Sequence, residues 1–138
     1  MLLVTGFLYA TFSLLAEYHY GIGFGSHAGT PMAAISHLDK AQALFPLEVR
    51  FRIGPAIGRS VVADVNGRPP GLVQWAVVAL RRALIIDYTR ADLLAQLVSF
   101  EAVTGETDQA ERDYQRLKVL APRSKFVIET EKQRQGGQ

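Results

Sequence analysis

Three stretches of this 138-residue chain fall into one register, and that register limits what the chain can fold into. Ala34, Ala41 and Pro46 align with Ala76, Ala83 and Tyr88, and these align with Ala110, Leu117 and Pro122. Within each stretch the spacing is seven residues, then five. The step from Tyr88 to Pro122 matches the period of about 34 residues that marks helix–turn–helix units. The step from Pro46 to Tyr88 is longer. Such units cannot bury their apolar faces alone and so stack into a solenoid. These arrays present surfaces to partners, so the expected role is binding rather than chemistry.

Helix signals fill the register. Thr30-Pro31 supplies a capping hydroxyl followed by proline at the first helical position. Ala33, Ala34, Ile35, Leu38, Ala41 and Leu44 then recur at helical spacing until Pro46. Residues 47–64 form a second helical segment, in which Gly54-Pro55 predicts a kink or break because proline removes one backbone bond and crowds the preceding turn. The strongest turn signal runs from Val65 through Asn66, Gly67, Arg68, Pro69 and Pro70 to Gly71, and the residues that stretch the period are expected there. Residues 72–87 carry an apolar stripe that includes Trp75, Ala76, Leu80 and Ala83. Residues 90–104 turn Leu94, Leu97 and Val98 inward and stop at Gly105. Residues 108–120 present Ala110, Tyr114 and Leu117, and residues 124–134 place Phe126 and Val127 inward beneath a charged outer face suited to a cap.

The amino-terminal part is a different material. All 15 Lys and Arg residues lie from Lys40 onward, and Glu17 is the one charged side chain ahead of Asp39. Residues 1–16 are uncharged, and the run through Tyr18, His19 and Tyr20 to Phe24 reaches the ~20 residues that a membrane span needs, with an aromatic belt at its end. A signal peptide would want basic residues ahead of the apolar core and a small-x-small cleavage site, which Leu14 before Ala16 breaks. A buried first helix of the solenoid is the other alternative. The expectation is a single-pass transmembrane helix over 1–22, seated in the lipid bilayer of the inner (cytoplasmic) membrane through Leu3, Phe7, Phe12, Leu15, Tyr18 and Tyr20. A Gly-rich joint over 23–30, a helical domain over 31–134 and a disordered tail over 135–138 complete the expected organisation. Lys40, Arg50 and Arg52 lie too far along to decide on which side the body sits.

The register resembles the tetratricopeptide repeat. In the best copy Leu94, Leu97, Gly105, Ala110, Tyr114 and Pro122 fall on that repeat's signature positions, while Val98 and Leu117 stand where small residues are usual. The copy before it matches through Gly71, Ala76 and Ala83, with Tyr88 in place of proline. Residues 32–46 supply a second helix without a clear first partner, a place the membrane span or its extension could fill. The resemblance implies an all-α fold: one N-terminal transmembrane helix followed by a short tetratricopeptide-like solenoid. A weaker resemblance joins the phrase from Ala43 to Arg52 to the repeat-bearing tails of bacterial O-antigen ligase and polymerase-like proteins. The chain has no room for the multi-span catalytic part of that family.

No catalytic constellation emerges. The absence of cysteine removes disulfides, thiolate zinc sites and cysteine nucleophiles. His19, His27 and His37 pair with neither an acid nor one another at helical spacing, so no metal site is expected. No cofactor is expected either: the glycines from Gly21 to Gly29 nearly spell a dinucleotide fingerprint, but its third glycine falls on Ser26 or Ala28 and no βαβ unit surrounds it. A net charge of +2 without aromatic interleaving argues against nucleic acid. Arg52 and Arg59, seven apart, share a face of the helix expected to line the concave side, where they would suit a partner's carboxylates; a solvated helix face accounts for them equally. Asp92 and Ser99 complete the candidate partner-binding set. The expectation is a non-enzymatic, membrane-anchored scaffold or accessory subunit that assembles with the subunits of a membrane protein complex. The alternative is an auxiliary component of bacterial surface-polysaccharide polymerisation or ligation. With two good units and a half, the array is expected to need a partner or a second copy to complete its core.

Overall fold

The computed structural model describes residues 2–25 and 28–136, with the side chains of residues 2–8, 133, 135 and 136 outside that description. Seven helices follow one another: α1 (Leu2–Phe24), α2 (Pro31–Leu44), α3 (Val49–Val65), α4 (Pro70–Ile86), α5 (Ala91–Thr104), α6 (Thr107–Leu120) and α7 (Lys125–Gly136). Each packs against the next, and α1 also reaches α3. Short connections enforce this order, because helices joined by a few residues become neighbours.

The helix borders have local causes. The Thr30 hydroxyl accepts a bond from the Ala33 N–H at 3.2 Å, ahead of Pro31 at the first helical position of α2. Gly105 ends α5 at φ 80°, a left-handed conformation that glycine adopts without steric cost. Between α3 and α4, Gly67 (φ 76°) and Arg68 (φ 58°) are both left-handed. An arginine there is uncommon, and two side-chain bonds hold it, to Asp64 at 2.7 Å and to Ser99 at 2.8 Å.

Two expectations about chain geometry change. Helix α3 runs unbroken through Pro55. A proline inside a helix costs about 3 kcal/mol, and burying Phe51 and Ile53 in the same helix, at about 1.5–3 kcal/mol each, offsets it. The stretched period is also not confined to the turn: α3 and α4 have 17 residues each, against 14 each in α5 and α6. Of the tail expected over 135–138, residues 135 and 136 continue α7, and the rest lie outside the described residues.

The main core runs from Ile53, Ala56 and Ala63 of α3 through Val77, Leu80, Leu94 and Phe100 to Tyr114, Leu117 and Val127. A smaller cluster joins Ala16 of α1, Ala41 of α2 and Phe51 of α3, with Tyr20 and Phe45 against it. Beside that cluster Leu38 of α2 is inserted between two glycines. A Cβ on Gly23 would lie 2.6 Å from Leu38 Cγ, and one on Gly58 2.8 Å from Leu38 Cδ1. A Cβ on Gly54 would lie 2.9 Å from the Tyr20 ring. These glycines let three helices approach more closely than any side chain would permit. Gly21 and Gly23 accordingly lie within α1, so the joint expected over 23–30 begins only after Phe24.

The transmembrane expectation is overturned. Among the described residues no helix is long and apolar enough to cross a membrane. The second half of α1 has protein neighbours where lipid was expected. Ala16 is fully buried, Glu17 pairs with Arg50 of α3, His19 bonds His37 of α2, and the Tyr20 ring lies 5.1 Å from that of Phe51. Glu17 and His19 therefore interrupt the apolar run where a bilayer core would require it to continue. A single-pass location in the inner membrane falls with the span. Of the residues expected to hold it in lipid, Phe12, Leu15 and Tyr18 are exposed and Tyr20 is half-buried; the side chains of Leu3 and Phe7 lie outside the described residues.

Candidate partner-binding groove

Ala95, Ser99, Ala102 and Val103 recur along α5 on a side that neither α4 nor α6 fully covers. Opposite them stand Phe126, Thr130 and Arg134 of α7, and Arg68 closes the upper end from the α3–α4 turn. The result is two adjoining hollows of about 500 Å³ and about 190 Å³, both lined by Arg68, Ser99 and Phe126. The larger has an apolar floor of Val98, Ala102, Val103, Ala110 and Phe126. The smaller includes Gln96, whose Oε1 is buried and without a partner among the described residues.

Two arginines flank the floor, each oriented by an aromatic ring and a carboxylate. Arg68 stacks 5.0 Å from the centre of Phe100 and bonds Asp64. Arg134 stacks 4.5 Å from the centre of Tyr114 and pairs with Glu111 at 2.6 Å. Arg134, and then the Gln115 side chain, hold the Glu111 carboxyl below its ordinary range. Burial pushes the Tyr114 phenol up to about 12, assisted by its bond to Glu131 at 2.8 Å. The groove thus combines apolar surface with an arginine–carboxylate pair at each end and one unpaired acceptor, a mixture suited to an extended or helical peptide segment.

On the other side of α5 the chemistry is structural. Glu101 is fully buried and receives Arg81 of α4 at 2.8 Å; Arg81 also pairs with Glu106 at the start of α6. Burial raises the Glu101 carboxyl, while the two carboxylates raise the Arg81 guanidinium. This bridge fixes the α4–α5–α6 packing on which the groove rests.

The sequence-derived candidates fall in separate places. Ser99 lines the groove and accepts a bond from Arg68. Asp92, at the start of α5, is taken up by Arg90 at 2.8 and 2.6 Å, and that bonding lowers its carboxyl. Arg59 donates to both oxygens of Asp39 at 3.0 Å and stacks 4.6 Å from the centre of Trp75, so it is held against α2 and α4. Arg52 is exposed and has no ion pair among the described residues. Arg68, Phe126, Val103 and Arg134 complete the groove without having been singled out as binding residues. The usable signal was Arg68 inside a Gly-Arg-Pro-Pro turn, a cation fixed at a corner.

No family model matches the sequence, and no curated protein matches it. Among solved structures, the TPR domain of Arabidopsis OM64 superposes with a TM-score of 0.70. The match covers 92% of this chain and 99% of that one at 16% identity. The fold is tetratricopeptide-like. In those terms α1–α2, α3–α4 and α5–α6 are three successive helix pairs, followed by α7. Helix α1 takes the place of the missing first partner of α2. The groove lies along the side formed by the first helices of the pairs, where α3, α5 and α7 succeed one another.

Proposed function

We propose that this chain is a protein-interaction scaffold that receives a segment of a partner protein in the groove between α5, α7 and the α3–α4 turn. The observation that carries the reading is the continuity of the two hollows through Arg68, Ser99 and Phe126. An apolar stripe on the partner would lie over Val103 and Phe126, an acidic residue would meet Arg68 or Arg134, and a donor would reach Gln96 Oε1. The role is binding, not catalysis. Assembly of a larger complex is the natural use of such a module.

The test is site-specific photocrosslinking in the native cell, with the crosslinker placed at Ser99 or at Val119, which is exposed on α6. A discrete adduct from Ser99 that is absent from Val119 and lost in Val103→Glu is the expected result. Equal adducts from both positions, or a Ser99 adduct indifferent to Val103→Glu, would reject the groove.

A further inference from the structure

The three histidines form no pattern along the sequence, yet the fold brings two of them together. His19 Nδ1 of α1 and His37 Nδ1 of α2 are 2.8 Å apart, their ring centres 5.0 Å apart, and both side chains are half-buried. We propose that His19 and His37 form a two-histidine site for a divalent transition cation of the zinc type at the seam of the first helix pair.

Imidazole nitrogen is a preferred ligand for Zn²⁺, Ni²⁺ and Cu²⁺, and two such nitrogens already face each other at 2.8 Å. In the hydrogen-bonded state one ring carries its proton on Nδ1 and donates to the lone pair of the other. Cation binding needs both Nδ1 lone pairs, so the donor ring moves its proton to Nε2 through solvent, with no net proton gained or lost. With Zn–N bonds of about 2.0–2.1 Å in tetrahedral geometry, the two nitrogens must separate to about 3.3 Å. That is an opening of about 0.5 Å, within reach of side-chain torsions on two half-exposed rings. The backbones need not move: Gly23, one turn beyond His19, and Leu38, next to His37, interlock and hold α1 and α2 in register. Glu17 is engaged with Arg50 and Asp39 with Arg59, and among the described residues no third ligand joins the pair. Water would fill the remaining positions. The positive charge of Lys40 acts on His19 and opposes an added cation.

A cation that binds only the docked helix pair stabilises it by mass action. The full chain, stripped with a chelator, is titrated with zinc chloride at neutral pH and followed by calorimetry and thermal melting. One equivalent bound and a melting midpoint raised by several degrees are expected. His19→Gln and His37→Gln should each abolish the rise, and His27→Gln should retain it. A midpoint indifferent to zinc, or a rise that survives in the His19→Gln/His37→Gln double variant, overturns the site. Should the variants lose helicity, imidazole NMR of the unaltered chain decides: zinc must shift the signals of His19 and His37, and a shift confined to His27 rejects the proposal.

Discussion

The first and third helix pairs differ in what supplements their apolar packing. Helices α1 and α2 meet backbone to backbone, with Leu38 pressed onto Gly23 of α1 and Gly58 of α3 and with Tyr9, Tyr20, Phe45 and Phe51 in edge and tilted contact nearby. Helices α5, α6 and α7 are held by long side chains: Arg81 between Glu101 and Glu106, Lys118 and Tyr114 on Glu131, and Arg134 on Glu111. The Leu38–glycine contact is steep in volume and carries no charge itself, while the Glu17–Arg50 and Asp39–Arg59 pairs bridge the same helices beside it. The second joint adds ionised groups to the apolar packing of Leu94, Phe100, Tyr114 and Leu117, and so answers to pH and salt as well. One molecule therefore has an end locked by close packing on glycines and an end laced with ion pairs over its core, and the candidate groove lies at the second.

The largest effect should come from the glycine joint. Leu38→Ala empties a fully packed site and should cost about 2–5 kcal/mol of stability by chemical denaturation. Gly58→Ala overpacks the same site and should cost about 1–3 kcal/mol. In the Leu38→Ala background the closer obstacle is gone, Ile35 Cγ1 at 3.3 Å can shift into the vacated space, and alanine is the better helix former by about 1 kcal/mol. Gly58→Ala should then be neutral or stabilising, a change of sign in the double-mutant cycle. Additive losses would mean that Leu38 and Gly58 do not share one contact, and the contrast between the two ends would collapse.

What could be read in advance follows the same division. Helix borders are short-range matters, and Thr30-Pro31, Gly105, Pro46 and Pro122 announced them from within a few residues. The place of α1 was not legible, because a stretch whose one acid is Glu17 has the same hydropathy whether lipid or protein covers it. What decides between them is Leu38 of α2 meeting Gly23 and Gly58, a contact among three helices. The candidate site shows the limit again. Helical spacing correctly put Arg52 and Arg59 on one helix, but not which neighbours Arg59 would find; Asp39 belongs to the helix before it and Trp75 to the helix after. Ser99 was singled out, whereas its companion Arg68 is brought to it from a distant turn by a left-handed φ.

At the charged end the strongest single perturbation should be Arg81→Met, which leaves Glu101 buried without its partner. Removing one member of a buried pair costs about 3–5 kcal/mol. Arg81 is 40% exposed, so the lower end of that range is expected at neutral pH. The deficit should depend on pH. Burial raises the folded-state carboxyl of Glu101 above its ordinary value, and loss of Arg81 raises it further. The folded state then binds the proton more tightly than the unfolded state, so the stability it confers is present below the ordinary glutamate range and lost as pH rises through the raised value. Denaturation of Arg81→Met across mildly acidic pH should show stability recovering as pH falls. A deficit constant with pH would mean that Glu101 is not the group left stranded.

The smallest effect concerns α7 and runs in the opposite direction with pH. Tyr114→Phe removes the bond to Glu131, worth about 0.5–1.5 kcal/mol. Lys118 and Tyr114 hold the Glu131 carboxyl below its ordinary range, and Arg134 does the same for Glu111. A lowered folded-state value means that the unfolded chain takes up its proton first as pH falls. The attachment of α7 is therefore complete above the ordinary carboxyl range and lost as pH drops through the lowered values. Amide exchange across α7 should accelerate in that acidic window while exchange in α2 and α3 stays slower, since the Leu38–glycine contact holds these helices independently of the Asp39–Arg59 and Glu17–Arg50 pairs. Tyr114→Phe should move the onset of α7 exchange to higher pH. Were α2 to open together with α7, the two ends would be one cooperative unit, and the distinction between a packed joint and an ionic one would have no consequence for how the molecule moves.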